Sequence, residues 1–519
     1  MTKKSDINRE ALNKIELISI DAEKYSLNSG LDNKNKEILL LYPTYSYPRK
    51  NQPIGLAYLA GYLRDAGYKM TIIDFNVTKL SSNEINDILI SRKWLLIGIS
   101  FMTNQFNEAQ KLISLIDKTV PTIPLVAGGV HVSSIPERSF KELPGVDIIA
   151  KGEGEQTLLE LANLFSNITN PSSQDFMNIN GIFIKRNGEV LQSLPRANLS
   201  DIDSIPFPAW EFFEPEKYNI FGIHEAQNNA PMFLLFSSRG CPFACTFCDS
   251  QTVFSRSFRG RSASNIVEEM MYLHEKYGAM TFDFADDLFT TKKSRVYEIC
   301  DAIDQTGIQF QWMVNARVDT VDREMLTRMK QSGCVRLDFG VESGDEHVRG
   351  IMGKKITDQQ IIDAHKICTD VGLHTGSFCM VGNLGETKDS VYKTAELMRD
   401  IADDVMVSIA IPYPGTDMYV TAKEKGLINT EDWSKYATAP TYTKNYKPVM
   451  RNENLNEKEI VDAYFYLQSI FARRKFRERF GDNYLFRPKF LSEMIFKKEG
   501  FMRRAGMFAK LIIARIKLA

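Results

Sequence analysis

The sequence has no long apolar run, almost no net charge and no cysteine before Cys241. No stretch reaches the roughly 18 to 20 apolar residues that a membrane-spanning helix needs, so we expect no transmembrane segment. The polar start, MTKKSDINRE, lacks the apolar centre of a secretory signal, and a cytoplasmic protein is expected. The formal net charge of −1 argues against bulk nucleic-acid binding, which requires a strongly basic surface.

The chain of 519 residues is too long for one hydrophobic core, and its pattern changes several times. Short apolar strands alternate with amphipathic helices, which predicts parallel βαβ units in an α/β protein. We expect a doubly wound parallel sheet, then a partial (β/α)6 barrel, then a helical region. The predicted segments are a polar extension at 1–36, an α/β domain at 37–168, a linker at 169–229 with a small hairpin turning at Asn187–Gly188, a barrel at 230–430 and a basic helical region at 431–519.

Three of the seven cysteines fall within eight positions: Cys241, Cys245 and Cys248. Three thiolates on one loop can each take one iron of a [4Fe–4S] cubane, which leaves the fourth iron without a protein ligand. That open position suits chelation by the amino and carboxylate groups of S-adenosylmethionine. A zinc site is the alternative, but zinc requires four ligands, and neither a second Cys pair nor a histidine lies near the loop.

The segment SSRGCPFACTFCDS resembles the cluster motif of the radical S-adenosylmethionine superfamily, including the aromatic Phe247 before the third cysteine. The resemblance covers about residues 230–425. Further matching pieces lie downstream: RGRSASNIVEEM, FADD, NARVD, GVESG, MVGNLGET and PYPGT.

The resemblance implies binding residues for S-adenosylmethionine at successive strand ends. Asp286 or Asp287 is expected at its amino group and Arg317 at its carboxylate. Glu342 and Ser343 are expected at the ribose or methionine part. The stretch from Gly382 to Glu386 resembles the one that contacts adenine.

The first α/β segment resembles the cobalamin-binding domain fused to many radical S-adenosylmethionine enzymes. The matching pieces are PIGLAYLAGYLRDAGY, GISFMT, VAGGVH and KGEGEQT. Glycine lets backbone approach a flat macrocycle closely, and the implied contacts are Gly128, Gly129, Gly152 and Glu153. A nucleotide site is the alternative, but the G-x-G-x-x-G fingerprint is missing from the first strand–helix turn.

The axial ligand of the cobalt is a separate question. The Asp-x-His-x-x-Gly motif that supplies an axial imidazole in other cobalamin proteins is absent. We therefore expect cobalt without a histidine ligand, with His131 as the alternative.

Together the two resemblances imply a class B radical methyltransferase that uses cobalamin, a [4Fe–4S] cluster and S-adenosylmethionine. Such an enzyme cleaves S-adenosylmethionine to a 5′-deoxyadenosyl radical and methylates an unactivated carbon. An oxidative cyclase or another C–C bond-forming enzyme is the alternative, and a non-catalytic cobalamin sensor is a further one. A methylthiotransferase is disfavoured because its three additional N-terminal cysteines are missing. The expected partners are a small-molecule, lipid or peptide substrate and an electron donor such as flavodoxin or ferredoxin.

The C-terminal end is locally basic, with 14 Lys/Arg against 4 Asp/Glu from residue 471 onward. Basic and apolar residues alternate there, as in MFAKLIIARIKLA. Two interpretations stay open: a solvated helical face, or peripheral contact with an anionic membrane or lipid substrate.

Overall fold

The computed structural model describes residues 37–45, 51–186, 188–218, 231–440 and 446–480, with side chains up to residue 471. The predicted extension 1–36 and most of the basic tail lie outside these residues. The chain forms two compact units. The first contains Met1–Pro242 with Asp249–Asp287, and the second contains Phe243–Cys248 with Leu288–Ala519.

The first unit is built on a twisted sheet whose first five strands are parallel. These strands are β1 Glu37–Tyr42, β2 Lys69–Asp74, β3 Trp94–Ser100, β4 Leu125–Gly128 and β5 Ile148–Ala150. Their order is β2-β1-β3-β4-β5, which reverses beside β1, as a doubly wound sheet does. The helices between and after them are α1 Ile54–Asp65, α2 Ser82–Ser91, α3 Phe106–Thr119, α4 Val130–Ser134, α5 Pro136–Glu142 and α6 Glu155–Asn167. The predicted doubly wound fold is confirmed.

The predicted hairpin is present, but it extends this sheet. After a short helix inside the expected linker, α7 Ser173–Met177, strands β6 Ile182–Arg186 and β7 Glu189–Gln192 pair antiparallel. Strand β6 also pairs antiparallel with β5. Ile182 and Ile184 join the apolar core of the sheet, so burial of these side chains explains the position. Gly188 has a φ of +84° at the predicted turn, whereas Asn187 lies outside the described residues.

The second strand–helix series begins within the first unit. Its elements there are β8 Met232–Leu235, β9 Ser238–Arg239, α8 Ser250–Phe254, β10 Arg259–Gly260, α9 Ala263–Tyr277 and β11 Thr281–Phe284. Strand β8 pairs in parallel with β11, and the short β9 pairs antiparallel with β10. The cysteine segment therefore follows directly after β9.

The second unit contains four parallel strands in sequence order: β12 Gln311–Ala316, β13 Cys334–Glu342, β14 His374–Val381 and β15 Asp404–Ile409. The accompanying helices are α10 Lys293–Gln305, α11 Arg323–Gln331, α12 Glu346–Ile351, α13 Asp358–Val371, α14 Lys388–Arg399, α15 Asp417–Glu424 and α16 Glu457–Phe480. Strand–helix alternation continues through this unit, as the sequence predicts.

The C-terminal region was predicted to be helical from residue 431, but its α-helix, α16, begins only at Glu457. The described residues 431–440 and 446–456 contain one short 3-10 turn, Trp433–Lys435, and no α-helix. The side chains beyond residue 471 and all residues beyond 480 lie outside the described part, and with them most of the basic tail. Within the described ranges, no helix is both long and apolar enough to cross a bilayer.

Candidate functional site

The cysteine loop starts at a glycine that the backbone requires. Gly240, between β9 and Cys241, has a φ of +81°, and a Cβ atom there would lie 2.4 Å from the carbonyl oxygen of Ser257. An L-residue is disfavoured in this conformation and has no room. Further along the loop, the N–H of Cys248 donates to the carbonyl of Cys245 at 3.2 Å, which forms a tight turn.

The three motif cysteines differ from the other four in exposure. Cys241, Cys245 and Cys248 are half-buried, whereas the remaining cysteines are fully buried. Burial raises the pKa of Cys300 to about 11 and that of Cys368 to about 12, and it also raises the pKa values of Cys334 and Cys379. Since metals bind thiolates, the raised pKa values disfavour metal binding by the four buried cysteines.

Within the described residues, no three His, Cys, Asp or Glu side chains are placed to hold a single metal ion. A single zinc requires all its ligands to converge on one point. A cubane does not, since each thiolate takes a different iron. Three accessible thiols on one loop match the three protein ligands of such a cubane.

Contacts within the second unit support the later part of the loop. The N–H of Thr246 donates to the carbonyl of Met352 at 2.9 Å, and the N–H of Met418 donates to the carbonyl of Thr246 at 2.8 Å. A Cβ at Gly353 would lie 2.6 Å from the carbonyl oxygen of Ala244, so a glycine allows this approach. Phe247 packs against a small apolar cluster of the same unit.

Asp286 and Asp287, expected at the amino group of S-adenosylmethionine, have different surroundings. Asp286 is 1% exposed, and its carboxylate accepts four hydrogen bonds of 2.5–3.1 Å from the N–H groups and hydroxyls of Ser237 and Ser238. Asp287 is exposed and accepts a hydrogen bond from the hydroxyl of Ser250. The pKa of Asp287 is raised, first because surrounding protein atoms displace water from the carboxyl group and then because of the negative charge of Asp286.

Asp249, next to Cys248, was not singled out from the sequence. Burial, followed by the charge of Asp287, raises its pKa. Its position directly after the third cysteine was the available signal.

Arg317 lies against the cysteine loop. Its guanidinium carbon is 3.8 Å from the ring centre of Phe243, a cation–π contact. The same guanidinium donates to both carboxylate oxygens of Asp319 at 2.9 Å. Arg317 thus has two local partners in the second unit, one of them on the loop itself.

Glu342 ends β13 in an unusual conformation. Its φ is +67°, one of two positive values among described non-glycine residues. Its carboxylate accepts a hydrogen bond from Lys354 Nζ at 2.9 Å, and both side chains are more than nine-tenths buried. Such backbone costs about 1–3 kcal/mol and tends to occur at functional sites. The adjacent Ser343 is fully buried, and its hydroxyl accepts from the N–H of Asp345 at 3.2 Å.

Glu386 closes the turn after β14. Its carboxylate accepts a hydrogen bond from the N–H of Gly382, whose φ is +83°. The side chain is 1% exposed, and Oε1 is buried without a hydrogen-bond partner. Burial raises the pKa of Glu386 to about 8, so a proton is expected on this carboxyl at neutral pH.

The residues expected at cobalamin lie at the carboxyl ends of β4 and β5, the edge where doubly wound sheets bind ligands. The nearest atoms to a Cβ on Gly128 or Gly152 would be 3.9 and 3.8 Å away, so both glycines leave a bare backbone surface. Gly129 and Gly152 also have positive φ values, +97° and +85°, and a Cβ on Gly129 would lie 2.4 Å from the carbonyl oxygen of Phe101. We call Gly128, Gly129 and Gly152 the glycine ledge. Because these residues have no side chains, a flat macrocycle can approach their backbone closely.

Glu153 has partners that spacing does not reveal. Its carboxylate pairs with Arg239 at 2.9 Å and with Arg259 at 2.9 Å, and the neighbouring Glu155 pairs with Arg239 at 2.6 Å. All four side chains are more than nine-tenths buried. Arg239 and Arg259 were not identified as site residues from the sequence, and Glu155 was noted only as part of the piece KGEGEQT.

His131 is fully buried between aromatic side chains. Its Nδ1 lies 3.0 Å from the hydroxyl of Thr103, and its ring is 5.8 Å from Phe101 and 5.0 Å from Phe106. Burial lowers the pKa of His131 to about 3, which keeps the imidazole neutral. A cobalt ligand must reach the exposed edge of the sheet, so this placement favours cobalt without His131.

Comparison with known proteins covers both halves of the chain. A family model described as the Radical SAM superfamily matches residues 235–398, and one described as a B12 binding domain matches residues 46–162.

Three relatives share most of the chain's length. An uncharacterized methyltransferase of Pyrococcus horikoshii is 32% identical over 90% of this chain and 96% of its own length. An anaerobic magnesium-protoporphyrin IX monomethyl ester cyclase of Rubrivivax gelatinosus is 27% identical over 79% and 72%. A cytidylyl-2-hydroxyethylphosphonate methyltransferase of Streptomyces wedmorensis is 25% identical over 76% and 83%.

A solved structure shares the fold. The radical S-adenosylmethionine methyltransferase TsrM from Kitasatospora setae, with cobalamin and a [4Fe–4S] cluster bound, aligns with a TM-score of 0.67 at 16% identity, over 93% of this chain and 100% of TsrM. The family and fold class predicted from the sequence are confirmed. With its B12-binding and radical domains in this order, the chain belongs to the cobalamin-dependent radical S-adenosylmethionine enzymes, whose cofactors are S-adenosylmethionine, a [4Fe–4S] cluster and cobalamin.

Proposed function

We propose that this enzyme is a methyltransferase that transfers a methyl group from S-adenosylmethionine to an unactivated carbon of its substrate. The observation that carries the proposal is that one chain contains both an accessible three-cysteine loop and the glycine ledge of a B12-binding sheet. The names of two relatives, both methyltransferases, support it. As a radical enzyme it requires an electron donor and a small-molecule substrate.

When bound, the reduced cluster supplies the electron that cleaves S-adenosylmethionine, and cobalamin carries the methyl group. Cys241, Cys245 and Cys248 hold the cluster. Gly128, Gly129 and Gly152 form the surface for the macrocycle. Glu153 holds the loop after β5 in place through its ion pairs with Arg239 and Arg259.

Asp287, rather than Asp286, binds the amino group of S-adenosylmethionine. Its carboxylate is exposed, whereas Asp286 is engaged by four donors. Arg317 fixes Phe243 of the cysteine loop and faces the carboxylate of the cofactor.

The ends of β13 and β14 form the remaining contacts with S-adenosylmethionine. Glu342 and Ser343 border the ribose or methionine part. The turn from Gly382 to Glu386 borders the adenine, and the protonated Glu386 braces that turn without adding a charge.

A labelled-methyl assay tests the reaction. Reduced, cobalamin-loaded protein is incubated with methyl-labelled S-adenosylmethionine and a metabolite extract from a deletion strain, with cobalamin-free protein as the control. We expect 5′-deoxyadenosine, S-adenosylhomocysteine and one labelled product, all dependent on cobalamin. Finding 5′-deoxyadenosine without S-adenosylhomocysteine or a transferred methyl group would overturn methylation.

5′-Deoxyadenosine without methyl transfer would favour an oxidative cyclase, and the Rubrivivax relative is named as a cyclase. A methylthiotransferase is disfavoured because no cysteine precedes Cys241. For the electron donor we propose a flavodoxin or ferredoxin, and reduction of the cluster by either protein in place of dithionite is the measurement that decides.

A further inference from the structure

Four charged side chains form a buried ion-pair cluster in the first unit: Glu153, Glu155, Arg239 and Arg259. The Nη1 and Nη2 atoms of Arg239 reach Glu153 at 2.9 Å and Glu155 at 2.6 Å. Arg259 Nη1 donates to both oxygens of Glu153, at 2.9 and 3.0 Å. The cluster is neutral as a whole, which is the condition for burying charge.

The cluster joins two segments that are distant in sequence. Glu153 and Glu155 lie in the loop after β5 and at the start of α6, beside Gly152 on the ledge. Arg239 is the last residue of β9, and only Gly240 separates it from Cys241. One guanidinium therefore connects the loop after β5 to the end of β9, one residue before Cys241.

The position of Arg239 depends on the two glutamates. In the β9–β10 pair, Arg239 lies directly opposite Arg259, and two like charges in this register repel unless carboxylates neutralise them. The guanidinium of Arg239 is further enclosed by Tyr58 and Phe254, whose ring centres are 4.8 and 5.7 Å away.

A buried group of ion pairs adds little net stability to a fold, because burying the charges costs about as much as their attraction returns. Apolar residues of the same volume often stabilise a core as well as a buried ion pair does. A planar guanidinium whose two Nη atoms each reach a different carboxylate, as in Arg239, defines one geometry. A shift of the loop after β5 would separate Glu153 or Glu155 from Arg239 and disturb the backbone that leads into Cys241.

We propose that Glu153, Glu155 and Arg239 are positioning residues. They couple cobalamin binding energetically to the binding of the iron–sulfur cluster at Cys241. The proposal rests on the assignment of the glycine ledge and the cysteine loop to these two cofactors. Coupling between two sites is reciprocal, so the cluster strengthens cobalamin binding by the factor by which cobalamin strengthens cluster binding.

The test is an anaerobic titration of hydroxocobalamin into full-length protein, monitored by visible absorption. It is performed once with and once without the reconstituted iron–sulfur cluster. In the wild type we expect the Kd to fall by about fivefold or more when the cluster is present. Glu155→Gln removes one carboxylate charge, and Arg239→Lys removes the planar group that reaches both glutamates. In each variant we expect the Kd values with and without the iron–sulfur cluster to agree within about twofold.

Arg336→Lys is the matched control, because Arg336 forms a similarly buried ion pair with Asp338 within the second unit that involves neither cofactor loop. This variant should keep the wild-type ratio of Kd values. A second readout is the electron paramagnetic resonance spectrum of the reduced iron–sulfur cluster. This spectrum should change on cobalamin addition in the wild type and stay unchanged in Glu155→Gln and Arg239→Lys.

A wild-type ratio near one, or variants that retain the wild-type ratio, would overturn the coupling while both cofactors still bind. Failure of the cofactor assignment gives a different result: no cluster absorption, or no cobalamin binding in either form. Should Arg239→Lys not fold, Glu155→Gln decides, since glutamine keeps the shape of the side chain.

Discussion

Lys354 Nζ donates to Glu342 Oε1 at 2.9 Å, and it does so while Glu342 holds a left-handed backbone conformation at the end of β13. Gly340 makes room for the pair, because a Cβ there would lie 2.4 Å from the lysine nitrogen. The left-handed conformation of Glu342, its buried ion pair with Lys354 and the missing side chain at Gly340 therefore occur together at the end of β13.

Breaking this pair should be costly. Lys354→Gln leaves the Glu342 carboxylate buried without its cation, and we expect the free energy of unfolding to fall by about 3–5 kcal/mol. The measurement is urea-induced unfolding. Lys293→Gln is the control in the same unit, because its ion pair with Asp322 is solvent-exposed and should contribute little. Equal stability of the two variants would contradict the role of the buried pair.

Asp286 and Asp287 should separate structure from binding. Asp286→Ala leaves two backbone N–H groups and two hydroxyls without their acceptor, and we expect a loss of about 2–4 kcal/mol in unfolding free energy. Asp287→Ala should leave unfolding nearly unchanged but weaken S-adenosylmethionine binding by about tenfold, the effect of one lost ionic contact. Equilibrium dialysis with the reconstituted protein measures the binding. If the stability loss followed Asp287 instead, the assignment would be wrong.

The pattern of apolar strands and helices was sufficient to predict the parallel sheet of the first unit and the strands that follow it. Strand β5 and helix α3, for example, lie where their apolar periodicity indicates. The place of the 181–192 hairpin was not predictable, because the burial of Ile182 and Ile184 against the sheet depends on tertiary packing.

The candidate site shows the same division. Spacing alone identifies the cysteine loop, since its three ligands are local. The partners of Glu153 could not be predicted, because Arg239 and Arg259 lie 86 and 106 residues away. The engagement of Asp286 likewise depends on Ser237 and Ser238, which lie before the cysteine loop.

Glu386 should make stability depend on pH. Its pKa is raised from the ordinary 4.5 to about 8 by burial, so the folded state holds a proton that the unfolded state releases. The contribution of this group is therefore fully present below about pH 4.5 and is lost as the pH rises through about 8. Glu386→Gln, a neutral side chain of the same shape, should remove this fall. Urea unfolding of both proteins at pH 6 and pH 9 tests it, and parallel pH profiles would contradict the raised pKa.

The most direct test of the account compares single alanine variants of the cysteines in anaerobically reconstituted protein. Wild type and Cys300→Ala should bind about four iron atoms, show visible cluster absorption and convert S-adenosylmethionine to 5′-deoxyadenosine when reduced. Cys241→Ala, Cys245→Ala and Cys248→Ala should each lose the absorption and the product. Iron content and 5′-deoxyadenosine that persist in these three variants, or that fall equally in Cys300→Ala, would contradict a cluster held by this loop.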